Sequence, residues 1–155
     1  MTSPEERLAE LGLVLPAVVP PLAAYVPAVV TGSYVYTSGQ LPMRDGSLLT
    51  TGKIGADVTA DEAYDCARQC ALNALAAVAA AAGGDLSRVA RVVKTVVFVA
   101  STPDFTGQPV VANGASELFG AVFGDAGVHA RSAVGVSVLP LDAPVEVELV
   151  VELSA

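Results

Sequence analysis

Residues 145–153 show the most regular alternation of hydrophobic and polar positions in the chain. Five aliphatic side chains occupy every second position there, and three of the four positions between them are glutamates. This period of two is typical of a β-strand with one buried face. Residues 132–139 alternate similarly, and the β-branched run 92–99 is typical of a buried central strand. Residues 33–38 are β-branched and aromatic, so we predict strands in all four segments.

Capping signals and helical spacing predict three helices. Residues 3–6 and 59–62 each combine a hydroxyl residue with a glutamate three positions later, which is a capping box. The first opens a short helix that ends before Gly12, and the second opens a helix that runs to about residue 82 and stops at two glycines. Small apolar residues recur at helical spacing along the second helix, so we expect it to lie close to a sheet. The third helix is predicted over about residues 109–123.

These elements follow one another in the order α-β-β-α-β-α-β-β, which predicts an α+β fold with helices packed on one face of a mixed sheet. Asp45-Gly46 is the expected tip of a loose hairpin whose second arm runs toward Ile54. We expect residues 1–155 to form a single domain, to which the helix at about residues 3–11 is a short N-terminal extension.

The hydrophobic content of 53% raises the possibility of a membrane span. Residues 11–43 carry no charge, but five prolines divide this run into pieces shorter than the roughly 20 residues that a spanning helix needs. The N-terminus lacks the basic region of a signal peptide, and two cysteines make no disulfide framework. We therefore expect a cytoplasmic protein without a membrane partner, whose excess apolar surface is covered in an oligomer.

The distribution of charge singles out one cation. Sixteen acidic and eight basic residues give a net charge of −8, which argues against a nucleic-acid partner because there is no basic surface for a phosphate backbone. From Thr95 to the end there are seven acids, and Arg131 is the one permanent cation. Its guanidinium can present a planar fork to a carboxylate ligand. The alternatives are an ion pair with a neighbouring glutamate or a cap on a helix terminus.

Other candidate residues admit two interpretations each. Glu146 shares a strand face with two other glutamates, so it is either an ordinary surface acid or, at a subunit interface, a general base or water holder. His129 is the only histidine and either lines a pocket with Arg131 or is a plain loop residue. Gly39 permits a close backbone approach, to a turn or to a ligand. Cys66 and Cys70 are more typical of a core than of a metal site, and we expect no metal.

Several short motifs, taken in order, resemble the RidA/YjgF family over about residues 20–153. They are residues 34–41 (YVYTSGQL), residues 93–99 followed by Asp104-Phe105, Ala130-Arg131-Ser132, Leu139-Pro140 and residues 145–148 (VEVE). Residues 108–116 (QPVVANGAS), which lead into HARSAVGV, are similar to the divergent branch described as YjgF/chorismate mutase-like putative endoribonuclease.

The resemblance implies a homotrimer in which the sheets form a central barrel, the helices lie outside and three clefts lie between subunits. The implied activity is hydrolysis of reactive enamine and imine intermediates to 2-oxo acids and ammonia, without a cofactor. Arg131 is implied to bind the carboxylate of a small metabolite, and Glu146 is implied to position the attacking water. The implied lining of the cleft includes Tyr25, Ser38 and Asn113, to which we add Gly39 and His129 as candidates.

Departures from the family pattern concern the lining of this cleft. Ala133 stands where the family often has cysteine, His129 replaces a proline, and Ala23-Ala24 replace Gly-Pro. An alternative function is therefore a non-catalytic trimer that binds small carboxylates. Ribonuclease activity is disfavoured by the acidic charge and the lone histidine. Chorismate mutase-like chemistry would need a second cation beside Arg131, and the candidates for it are Lys53, Arg88, Arg91 and Lys94.

Overall fold

The computed structural model describes residues 2–155, in which two long helices cover one face of a five-stranded sheet. The strands are β1 (Ala28–Thr31), β2 (Tyr34–Thr37), β3 (Met43–Arg44), β4 (Ser47–Leu48), β5 (Val89–Ala100), β6 (Ala130–Val136) and β7 (Val145–Leu153). The helices are α1 (Pro4–Glu10), α2 (Ala60–Ala81) and α3 (Gln108–Phe123). Short 3₁₀ turns lie at Leu86–Arg88, Gly124–Gly127 and Pro140–Asp142.

The sheet is mixed, which confirms the predicted α+β class. Its strand order is β1-β2-β7-β5-β6, and only β5 and β6 are parallel, because α3 carries the chain across the sheet between them. β3 and β4 form a separate two-stranded ladder. In the part of the chain that is described, β1 and β6 are free edges and the sheet does not close into a barrel. The barrel and the trimer therefore stay predictions.

α1 and α2 begin and end at the residues that the capping signals predict. Ser3 and Thr59 each accept a hydrogen bond from the backbone of the glutamate three residues later, and both capping boxes are complete. Gly12 and Gly83, which follow the ends of α1 and α2, have positive φ angles of 73° and 77° that favour glycine. In α1, Leu8 is buried at 2% exposure, so the N-terminal helix is packed onto the fold.

The small residues of α2 let this helix lie directly on the sheet. Fourteen of its residues are buried, half of them alanines, and the Sγ of Cys70 lies 3.6 Å from the carbonyl oxygen of Val145 on β7. Cys66 and Cys70 are both buried core residues, as expected. Burial, followed by the charge of Asp65, raises the pKa of the Cys66 thiol to about 11, so at neutral pH this thiol is an inert packing group.

Several strands differ from the predictions. β1 was missed, and it pairs with β2 through a tight turn at Gly32, where φ is 58°. The Asp45-Gly46 hairpin is much shorter than predicted, because its return strand ends at Leu48 and Ile54 instead bridges to Ser101 and Val58. β6 begins earlier than predicted. It also ends earlier, because its last residue pairs with Ala100, where β5 ends.

The sheet face opposite the helices carries both apolar and acidic side chains. Tyr36 on β2 is 48% exposed and Val134 on β6 is 44% exposed. The three glutamates of β7 lie on the same face and are half-buried. No helix in residues 2–155 has the length and apolar character needed to cross a membrane.

Candidate functional site

Arg131 on β6 is held against one side of α3. Its Nη1 donates to Asn113 Oδ1 at 2.8 Å and to Ser116 Oγ at 3.2 Å, and its Nη2 donates to the Pro109 carbonyl oxygen at 3.4 Å. Asn113 and Ser116 are three residues apart on α3 and therefore share a helix face. No acidic side chain pairs with Arg131 in residues 2–155, where the one ion pair joins Lys53 and Asp142. Arg131 therefore forms neither the ion pair with a glutamate nor the helix cap that the sequence left open.

The guanidinium keeps two donors for a ligand. Of the five N–H groups of an arginine, the three bonds to α3 use both on Nη1 and one on Nη2. The Nε–H and one Nη2–H remain, and this pair matches the two oxygens of a carboxylate. The helix thus fixes the cation in place and leaves these two donors without a partner in residues 2–155. Arg131 is only half-buried, so a ligand can reach it.

His129 is joined to the same cluster. Its Nε2 lies 2.9 Å from Ser116 Oγ, and its Nδ1 lies 2.6 Å from the Gly127 carbonyl oxygen. The ring also packs edge-on against Phe119, with 5.6 Å between the ring centroids. His129 is therefore a fixed member of the group around Arg131 rather than a plain loop residue.

Glu146 on β7 lies directly beside Gly39, which follows β2. A Cβ at position 39 would lie 2.6 Å from the carboxyl carbon of Glu146 and closer still to its Oε2, so a side chain there would displace this carboxylate. The φ of Gly39 is not positive, so glycine is favoured there by the nearby carboxylate and not by backbone strain. Burial, and then the charge of Glu148, raise the pKa of Glu146 above its ordinary value of 4.5.

Tyr25 and Ser38 lie beside Gly39, Ser38 as its neighbour in the chain and Tyr25 across a shared pocket. Ser38 Oγ donates to the Val26 carbonyl oxygen at 2.5 Å, which ties the segment before β1 to the end of β2. Tyr25 Oη accepts a hydrogen bond from the Leu22 backbone N–H at 3.1 Å, and its ring is 44% exposed. Tyr25 and Gly39 together line a small apolar pocket with a free volume of about 30 Å³; its other walls are Val19, Pro20, Pro21, Leu22, Pro27, Gln40, Leu41 and Met43.

The predicted residues thus form two separate groups. Arg131 pairs in register with Thr95, which pairs with the buried Leu149, so Arg131 is on the helix side of the sheet. Glu146 is three residues from Leu149 and projects from the opposite face. Two strand spacings and three residues along a strand separate their Cα atoms by about 14 Å. Within one chain the guanidinium and the carboxylate therefore cannot contact the same small substrate.

We name the two groups for use below. The arginine half-site is Arg131, Asn113, Ser116 and His129. The glutamate half-site is Glu146, Gly39, Ser38 and Tyr25. Ser116 is the one member that sequence reasoning missed. It lies three residues from Asn113 on a predicted helix, but this spacing alone singles out no residue. In the described part of the chain, no three His, Cys, Asp or Glu side chains come together in a way that could hold a metal ion.

Comparison with known proteins identifies the family. Residues 5–153 match the family model described as "YjgF/chorismate mutase-like, putative endoribonuclease". The chain therefore belongs to the YjgF/RidA family, and to the branch that this description names.

Individual relatives support this assignment. The chain is 50% identical over 149 residues to Protein TCP17 of Trypanosoma cruzi, covering 96% of this chain and 92% of that protein. It is 36% identical over 129 residues to the 2-iminobutanoate/2-iminopropanoate deaminase of Escherichia coli strain K12, covering 83% of this chain and 87% of the deaminase. The crystal structure of a protein from Shewanella oneidensis, titled a putative endoribonuclease, is 38% identical and superposes with a TM-score of 0.94 over 97% of this chain and 99% of that one.

Proposed function

We propose that the protein hydrolyses the 2-imino acid tautomers of reactive enamines to 2-oxo acids and ammonia, in a cleft that forms where two copies of the chain meet. The observation that carries this proposal is the division of the site. Arg131 is fixed with two free donors on one face of the sheet, and Glu146 has a raised pKa on the other. When a second copy places its glutamate half-site against the arginine half-site of the first, both groups contact one substrate.

The cleft follows from a cyclic assembly. Tyr34, Tyr36 and Val134 expose apolar surface on the face opposite the helices, and association of three sheets into a central barrel covers it. In a ring of this kind each copy gives its arginine half-site to one neighbour and its glutamate half-site to the other. Three identical clefts result.

The chemistry assigned to each residue is simple. Arg131 binds the substrate carboxylate through its two free N–H groups and orients the imine carbon toward Glu146. Glu146 accepts a proton from a water molecule as the water oxygen bonds to that carbon, and it returns this proton to the imine nitrogen, which gives a carbinolamine. Glu146 then takes the hydroxyl proton of the carbinolamine and delivers it to the nitrogen as the C–N bond breaks, so ammonia and the 2-oxo acid leave. One water is consumed, and no electron acceptor is required.

The substrate class is an imino acid with a short apolar side chain. The pocket beside Gly39 and Tyr25 has a free volume of about 30 Å³, which corresponds to about two water molecules. This size favours a methyl or ethyl group over an aromatic ring. The E. coli relative is named for imino acids with these two side chains.

The test is an assay with freshly generated 2-iminobutanoate, in which 2-oxobutanoate release is followed against the buffer rate. We expect the protein to accelerate release, and Arg131→Ala to lower kcat/KM by about 100-fold because carboxylate binding and orientation are both lost. Arg68→Ala removes another half-buried arginine, one on α2 that belongs to neither half-site, so it is the matched control and should retain the wild-type rate. An Arg131→Ala variant as active as the wild type would move the site elsewhere.

A second candidate function is binding without turnover. The arginine half-site is complete on one chain and needs no glutamate to hold a carboxylate. Under this alternative the protein binds 2-oxobutanoate saturably, loses that binding in Arg131→Ala, and shows no rate above buffer with any imine. The net charge of −8 does not favour the ribonuclease activity in the family description.

A further inference from the structure

We infer that Ser116 and His129 control how tightly Arg131 binds a carboxylate, so that protonation of His129 strengthens anion binding in this cleft. The inference rests on the proposed carboxylate recognition by Arg131 and adds two residues to it. The observation behind it is a continuous chain of hydrogen bonds from Arg131 through Ser116 and His129 to the backbone of Gly127.

The direction of each hydrogen bond follows from the donors and acceptors available. The Gly127 carbonyl can only accept, so the Nδ1 of His129 carries a hydrogen. In the neutral imidazole Nε2 is then an acceptor, and it takes the hydroxyl hydrogen of Ser116. The lone pairs of Ser116 Oγ face Arg131 Nη1, which donates to them at 3.2 Å. In this state Ser116 has no hydrogen left for a ligand.

Protonation of His129 reverses the middle bond of the chain. Both ring nitrogens then donate, so Ser116 Oγ accepts from Nε2 and from Arg131, and its own hydrogen becomes free. Ser116 lies 3.2 Å from Nη1, on the side of the guanidinium away from the free donors, so the freed O–H does not itself contact an anion bound at those donors. The imidazolium, two hydrogen bonds from the guanidinium, adds a second positive charge beside Arg131, and this charge strengthens anion binding. A bound carboxylate relieves the repulsion between these two cations, and it therefore favours the protonated histidine.

Other charged groups around His129 do not replace this effect. A shallow groove on the other side of the ring is lined by Arg91, Glu152 and Tyr34, which bring one cation and one anion. Asp125 lies in the 3₁₀ turn before His129, and Lys94 pairs in register with the adjacent Ala130. On α3, Glu117 accepts a hydrogen bond from Tyr64 on α2. The proposed cleft adds Glu146 of the neighbouring copy, which is itself a titrating group.

His129 is the only histidine of the chain, so its imidazole signals in an NMR spectrum need no assignment. The experiment follows these signals from pH 5 to pH 8, with and without 2-oxobutanoate, and measures the dissociation constant of 2-oxobutanoate by calorimetry over the same range. We expect binding to tighten about fivefold as His129 becomes protonated. By linkage, bound 2-oxobutanoate should favour the protonated histidine by the same factor, which the imidazole signals report.

Variants separate the contributions. His129→Gln should bind 2-oxobutanoate with an affinity that no longer follows the histidine titration, and Ser116→Ala should weaken the pH dependence while Ser47→Ala, in the exposed hairpin, leaves it unchanged. The same measurements in Glu146→Gln remove the second titrating group. Binding that needs Arg131 but keeps its full pH dependence in His129→Gln overturns this inference alone. No binding at any pH overturns the proposed carboxylate recognition as well.

Discussion

At the scale of single residues, the environment of Glu146 gives it properties that suit a base. The carboxylate is half-buried on the sheet and close to Gly39. Burial and the neighbouring Glu148 raise its pKa, which increases its affinity for a proton above that of an exposed carboxylate. A carboxylate of this kind accepts a proton from water more readily than an ordinary surface glutamate does.

The pH dependence of kcat/KM tests this role. A base must be deprotonated to act, so the rate should fall as the pH is lowered through the raised pKa of Glu146, which lies above the ordinary 4.5. Glu146→Gln should lower kcat/KM by about 100-fold above that pH and abolish the acidic limb. The profile is measured with 2-iminobutanoate after subtraction of the buffer rate, with Glu152→Gln as the control. An acidic limb that persists in Glu146→Gln would rule out this assignment.

The sequence identified Arg131 and Glu146 but not their separation. Arg131 stands out because no other permanent cation follows Lys94, and Glu146 stands out through its motif. That the two lie on opposite faces follows from the register of β5 against both β6 and β7, a set of long-range pairings that no local pattern specifies. Ser116 was missed because a lone serine on a helix has no distinctive signal until Arg131 is seen to contact it.

At the scale of elements, α3 depends on a close contact with α2. A Cβ added to Gly114 would overlap the carbonyl oxygen of Tyr64 on α2 and lie 3.2 Å from the Cβ of Ala67. The two helices therefore approach at a point where only glycine fits. Because α3 also presents Asn113 and Ser116 to Arg131, this contact fixes the position of the arginine half-site.

Two alanine substitutions in α3 test this contact. Gly114→Ala should lower the free energy of unfolding by about 2 kcal/mol, because the helices must move apart to admit the methyl group. Gly120→Ala is the matched control, since nothing lies within 4 Å of its added Cβ. There alanine should stabilise the helix by about 0.5–1 kcal/mol. Both are measured by urea denaturation at one protein concentration, and equal effects of the two substitutions would contradict the close contact.

The elements that were predicted well carry strong local signals. β7 has the predicted bounds because its alternation is strict, and α1 and α2 begin at their capping boxes. β1 was missed because four residues that follow a proline-rich stretch form a strand only by pairing with β2. The hairpin arm toward Ile54 was wrong because that residue pairs with a distant segment, at Ser101, instead of continuing the hairpin.

At the scale of the whole molecule, one chain carries two separate groups of candidate residues, which the proposed function joins into one site between copies. The arginine half-site and the glutamate half-site lie on opposite faces of the same sheet, about 14 Å apart at their Cα atoms. The sheet has free edges, and its face opposite the helices exposes Tyr34, Tyr36 and Val134. Both observations support a cyclic assembly that covers this surface and joins half-sites from neighbouring copies.

Mixing two inactive variants tests this central claim most directly. Arg131→Ala subunits keep an intact glutamate half-site, and Glu146→Gln subunits keep an intact arginine half-site. In mixed assemblies formed at equal amounts by co-expression, about one cleft in four receives both intact halves, so about a quarter of the wild-type rate with 2-iminobutanoate should return. Native mass spectrometry confirms that the assemblies are mixed. If such mixed assemblies are no more active than the separate variants, the site does not form between subunits.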